Sequence, residues 1–178
     1  MKRLFTLIAM AALSVCCMAQ KVDNSTITNM EPEKYLGKWY EIARYDHKFE
    51  RGLNFATANY SLMKDGKIKV VNSGIKDGKL KSSVGKAKFT DNPGLLRVSF
   101  FGPFYSDYRI MMLAKDYQYA LVGSKSAKYL WILSRNPAVP DGMLHLILEE
   151  AETRGYDTSN LIWVKQGTNE TTLKRTTL

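Results

Sequence analysis

Two histidines, two cysteines and a scatter of carboxylates are the residues of this chain with reactive chemistry to offer. His47 follows Asp46, which supplies two members of a hydrolytic Ser-His-Asp arrangement. No Gly-X-Ser-X-Gly elbow marks a serine to complete it. His145 and Glu149 are four residues apart, the helical spacing some zinc sites use, but two residues do not close a coordination shell and a solvated polar helix face explains them. Tyr60 or Tyr108 could serve as a haem ligand, yet tyrosines also line lipid cavities. These residues predict no enzyme, no metal and no cofactor. A lipid-modifying or isomerising enzyme, or a binder of haem, pigment or siderophore, stands as the alternative.

The elements that position these residues are mostly strands. After Pro32, strand signals recur at regular spacing: Lys38–Tyr45, Phe55–Lys64, Lys67–Ser73, Leu80–Phe89, Leu95–Phe101, Ser106–Ala114, Tyr117–Val122 and Lys128–Ser134. Asp65-Gly66 and Asp77-Gly78 suit the positive-φ positions of tight hairpins, and Asn92-Pro93-Gly94 is a strong breaker. One helix follows, about Asp141 to Arg154, capped by Asp141 and ended by Gly155, with Met143, Leu144, Ile147, Leu148 and Ala151 on its apolar stripe. A short strand, Asn160–Lys165, comes last.

Several strands alternate. Leu96, Val98 and Phe100 face in; Lys69, Lys86, Lys88, Arg97 and Ser99 face out. Others are apolar on both faces: Met111 and Leu113 oppose Ile110 and Met112, and Tyr40 and Ile42 oppose Trp39 and Ala43. Strands six, seven, eight and one therefore need an outer cover, and they are neighbours only if the sheet closes on itself. The expected fold is all-β: an eight-stranded antiparallel up-and-down barrel, with the helix packed outside and a short final strand.

The N-terminus carries a separate message. Lys2 and Arg3 precede an apolar run, Leu4 to Val15, and Cys17-Met18-Ala19 offers small residues where a signal peptidase reads. The run is too short to span a bilayer. Cleavage before Gln20 removes two cations and both cysteines, lowering the formal charge from +9 to +7. Leu13-Ser14-Val15-Cys16 partly matches a lipidation box, so Cys16 or Cys17 is the rival mature N-terminus. The expectation is an exported protein of the periplasm or outer membrane, with cleavage to a soluble form favoured. Its segments are 1–19 signal peptide, 20–31 flexible lead-in, 32–166 barrel domain and 167–178 flexible tail. The 45% hydrophobic content excludes a disordered chain. The outer lysines lack interleaved aromatic residues, so the charge predicts an anionic membrane surface as partner rather than nucleic acid.

Gly37-Lys38-Trp39-Tyr40-Glu41-Ile42-Ala43-Arg44, which opens the barrel, Asp116-Tyr117 after the sixth strand and Arg135 at the end of the eighth resemble the three signatures of the lipocalin family. Phe49-Glu50-Arg51-Gly52-Leu53 and Val98-Ser99-Phe100-Phe101-Gly102-Pro103-Phe104-Tyr105 are similar to the bacterial outer-membrane branch and to apolipoprotein D. Lys115 departs from the threonine usual before the second signature. In an up-and-down barrel the three signatures share one end, where Trp39 can plug the floor under Arg135. Gly37, Trp39, Asp116, Tyr117 and Arg135 are thus read as structural.

Function then belongs to the other end. A barrel of this size either fills with its own side chains or holds one small ligand. The expected lining is Ala56, Ala58 and Tyr60 on strand two, Val70 and Asn72 on strand three, and Phe89, Val98 and Phe100 on strands four and five. Tyr108, Ile110 and Met112 on strand six, then Val122, Tyr129 and Trp131, complete it. The expected rim is Lys48, Phe49, Arg51, Lys76, Phe104 and Lys125. The resemblance implies lipid binding or transport, with a fatty acid or lysophospholipid as ligand and a monomer or homodimer as the form.

Overall fold

The computed structural model describes residues 21–167. The export segment, Cys16, Cys17 and the chain from residue 168 lie outside them. Eight strands run in order: β1 Gly37–Tyr45, β2 Asn54–Leu62, β3 Ile68–Lys76, β4 Lys79–Phe89, β5 Leu95–Phe101, β6 Phe104–Leu113, β7 Tyr119–Gly123 and β8 Leu130–Ser134. A one-turn helix, α1 (Pro32–Tyr35), precedes them; α2 (Asp141–Thr153), a 3-10 turn (Thr158–Asn160) and β9 (Leu161–Trp163) follow. Each strand pairs antiparallel with the next, and β1 pairs with both β8 and β2, which closes the barrel.

Local chemistry sets the corners. Asp77 and Gly78 both take positive φ between Lys76 and Lys79, and the Asn92 side chain accepts from Gly94 N at the β4–β5 corner. Closure is incomplete along the upper half of β1. There β2 diverges, and β9 takes the free edge, pairing Ala43–Tyr45 with Leu161–Trp163. Gln166 bridges the remaining gap, donating from Nε2 to Glu41 O at 2.7 Å and Ala56 O at 2.9 Å.

Two apolar clusters form. One fills the lower barrel around Trp39, Ile68, Leu96, Ile110, Val122 and Leu133. The other lies outside, where Ile147 and Ala151 of α2 cover Ile42, Met111, Leu121 and Ile132 on the four strands that needed a cover. Asp141 does not cap α2: Pro140 holds the N-cap position with no side-chain bond, and Asp141 sits in the first turn beside the helix dipole. Gly155 does end it, at φ +86°.

The sheet has register shifts at four places, and two of them overturn the facing that strict alternation predicts for β1 and β6. The β6–β7 register shifts between Ile110 and Met112, so Met111 and Met112 both pack outside with α2, and Leu113 turns inward with Ile110. Met112 therefore is not a lining residue. The β1–β8 register shifts between Glu41 and Ala43, which sends Ala43 outward with Ile42 and brings Arg44 onto the same inner side as Glu41. The outer face also differs at two places. Ser99 is buried, donating to Gly102 O, while Tyr105 folds over Lys88 with its ring 4.6 Å from the ammonium. The lead-in 21–31 is tied to the barrel by Ile27 N to Ile110 O and by the Asn24 amide to Ser124 O, and Met30 is buried.

Candidate functional site

At the end where the signatures meet, Trp39 is completely buried and donates its indole N–H to Tyr35 O at 2.9 Å. The Arg135 guanidinium lies 3.8 Å over the Trp39 ring and donates to Lys34 O, Tyr35 O, Lys38 O and Tyr117 O. Tyr117 takes φ +60°, its OH accepts from Glu31 N, and Asp116 accepts from Gln118 N. Gly37 takes φ +94° with the Arg135 side chain 3.4 Å from where a Cβ would stand. Every donor of that arginine serves a carbonyl or ring, which is the chemistry of a latch.

The opposite end opens on a cavity of about 970 Å³, near the upper limit of the ~300–1,000 Å³ usual for small-molecule sites. Ala56, Ala58, Tyr60, Val70, Asn72, Val98, Phe100, Tyr108, Tyr129 and Trp131 line it. The small side chains on β2 are where the space comes from. Phe89, Ile110 and Val122 also belong to the inner apolar cluster, but they are packed among its side chains and do not line the cavity. Tyr60, Tyr108 and Tyr35 form a hydroxyl chain, 3.0 Å and 2.7 Å, and burial pushes all three phenols up.

At the mouth, Phe49, Phe101 and Phe104 are 66%, 71% and 79% exposed, and Lys76 and Lys125 line the opening. Lys48 is exposed but does not line the cavity, and Arg51 is held by Asp46 in a bidentate pair. That pair removes Asp46 from His47. The carboxylate beside His47 is Glu50 instead, its Oε2 2.9 Å from Nε2.

The cluster around Glu50 was not foreseen. Glu41 and Glu50 both line the cavity, and Arg44, 1% exposed, lies behind them. Arg44 donates to Glu41 Oε1 at 2.5 Å and to Glu50 O at 2.6 Å; Trp131 Nε1 donates to Glu50 Oε2 at 3.0 Å. A strand that alternated strictly would put residues 41 and 44 on opposite faces, so only the bulge makes this pair. A Glu and an Arg three apart in a strand otherwise read as outward charges.

The two carboxyls titrate oppositely. Burial, then the neighbouring Glu50, push Glu41 up to about 8 against the pull of Arg44. Glu50 is burdened by burial too, but the close approach of His47, the Trp131 N–H and the charge of Arg44 hold it below the usual range. Between its ordinary value of 4.5 and about 8, the folded state keeps a proton on Glu41 that the unfolded chain releases. Glu41 thus subtracts stability as pH rises through that window. Glu41→Gln abolishes this dependence. Its urea-unfolding free energy should rise relative to the wild type from pH 5 to pH 8, by up to about 1.4 kcal/mol per pH unit. Parallel pH profiles would contradict the burial argument.

A profile of the lipocalin-like domain family matches residues 30–166. The outer membrane lipoprotein Blc of Escherichia coli K12 is 44% identical over 173 residues, 92% of this chain and 98% of that protein. The protein of the same name from Citrobacter freundii is 47% identical over 146 residues, 80% of this chain and 82% of its own. Mouse apolipoprotein D is 36% identical over 149 residues, 78% of each chain. Among solved structures, apocrustacyanin C1 aligns with a TM-score of 0.67 at 20% identity, over 83% of this chain and 86% of that one. Insecticyanin of the tobacco hornworm aligns with the same TM-score at 18% identity, over 82% and 85%.

Proposed function

This chain belongs to the lipocalin family, and from that footing we propose that it holds one fatty acid or lysophospholipid in its barrel, at the bacterial cell envelope. The observation that carries the reading is the open cavity of about 970 Å³ with an apolar wall and a mouth of exposed phenylalanines and lysines. Each buried methylene contributes about 0.8 kcal/mol, so a tail of ~16 carbons gains on the order of 12 kcal/mol before the costs of association. The interior cation Arg44 is committed to Glu41 and to backbone carbonyls. An acidic or phosphate head therefore finds its partners at the mouth, near Lys76 and Lys125. Phe49, Phe101 and Phe104, standing out beside those lysines, suit the mouth to an anionic lipid surface. Native mass spectrometry of gently purified protein tests the reading. One retained amphiphile per chain supports it; a chain that never carries or accepts one refutes it.

The name outer membrane lipoprotein, borne by relatives that align with up to 92% of this chain, supports an anchored mature form beginning at Cys16 or Cys17. Mass spectrometry of the mature N-terminus should find an acylated cysteine. A chain beginning at Gln20 would establish the soluble form in its place.

A further inference from the structure

We propose that the wall of the cavity formed by Glu41, His47, Glu50, Tyr129 and Trp131 is a recognition site for a primary ammonium group, so that the protein takes alkylamines as a second class of amphiphile. The inference rests on the cavity being a container for amphiphiles, and adds to it a polar preference that the mouth lysines do not predict. Three observations carry it.

The first is the balance of charge. Two carboxyl groups, Glu41 and Glu50, face the cavity; Glu50 is held in its charged form while Glu41 keeps its proton, and the guanidinium beside them, Arg44, does not line the cavity. Arg44 donates from its two terminal nitrogens to Glu41 Oε1, Glu50 O and Leu53 O, and its Nε is buried without a partner. Of the other cations that line the cavity, Lys76, Lys81 and Lys125 come from strand ends and a loop at the mouth, and Arg97 is paired with Asp107.

The second is unmet hydrogen bonding. The His47 side chain is 9% exposed and lines the cavity, yet its Nδ1 has no partner, and its Nε2 approaches Glu50 Oε2 at 2.9 Å without good N–H alignment. Asn72 Oδ1, also lining the cavity, is buried and unpartnered. Buried polar atoms left this way cost about 1–3 kcal/mol each. A ligand that brings donors, as an ammonium brings three, recovers that cost.

The third is the aromatic wall. Tyr129 and Trp131 are stacked at 13° with centroids 5.8 Å apart, and the Trp131 and Tyr129 rings lie 5.4 Å and 5.6 Å from His47. Aromatic faces beside carboxylates attract cations, by about 2 kcal/mol where water is excluded. A neutral head of the same size gains none of this.

The test compares n-dodecylammonium with 1-dodecanol, two ligands with one tail, by calorimetric titration of the delipidated protein. The wild type should bind the amine at least about tenfold more tightly than the alcohol, and Glu50→Gln should bring that ratio close to one. Should Glu50→Gln misfold, imidazole 15N shifts of the wild type give an independent readout, since the chain has two histidines and His145 is exposed on α2. The amine should move the His47 resonances and leave those of His145 in place. Equal affinity for amine and alcohol, or amine binding that leaves His47 unmoved, overturns the ammonium site alone. Binding of neither ligand overturns the container reading along with it.

Discussion

Above about pH 8, where Glu41 loses its proton, Arg44→Ala should cost about 3–5 kcal/mol of stability, the penalty for removing one partner of a buried ion pair. Arg44 is 1% exposed and joins three parts of the chain: the Glu41 carboxylate on β1, and the carbonyls of Glu50 and Leu53 in the β1–β2 loop. Its loss leaves a buried carboxylate and two carbonyls without their donor. The loop it pins also carries His47, Phe49 and Glu50, so the cavity wall should loosen together with the fold. Arg44→Lys keeps the charge but has a single nitrogen for three acceptors, and should recover only part of the loss. Urea unfolding measures the first effect, and amide hydrogen exchange at residues 47–53 the second. A variant within about 1 kcal/mol of wild type above that pH would show that the arginine is dispensable.

Trp39→Ala should cost a similar 3–5 kcal/mol for a different reason. The indole is completely buried beneath Arg135, and its removal leaves a cavity of a whole tryptophan side chain. For a domain of this size that corresponds to a fall of about 6–20 °C in the midpoint of thermal unfolding. Trp39→Phe keeps a ring under the guanidinium and should lose less. Because the latch and the cavity occupy opposite ends, Trp39→Phe should bind a fatty acid as the wild type does. Lost binding with retained folding would contradict that division of labour.

The barrel could be read because turns, alternation and the doubly apolar strands are all local. The need for a cover over β6, β7, β8 and β1 led to closure, and α2 supplies the cover through Ile147 and Ala151. The two bulges could not be read. Met112 and Ala43 each sit one residue past a register shift that depends on the partner strand, and no spacing in their own strand announces it. The same shift hid the Glu41–Arg44 pair. Asp46 was the obvious neighbour for His47 by sequence, but Arg51 takes it, and the loop returns Glu50 to the histidine three residues on. The lower boundary of the cavity was hidden as well. Inward direction was legible for Phe89, Ile110 and Val122, but the depth at which side chains meet across the barrel depends on all strands at once.

The central claim is that the barrel is a container. Its most direct test is titration of the delipidated protein with a fatty acid, read by tryptophan fluorescence, beside Ala58→Phe. Ala58 lines the cavity from β2, and Trp131 lies on its wall. The container account predicts saturable quenching at one ligand per chain, at micromolar concentration or below, and a loss of at least about tenfold in affinity when the phenylalanine fills the space. A folded wild-type protein with no saturable response, or Ala58→Phe binding as tightly as the wild type, would contradict it.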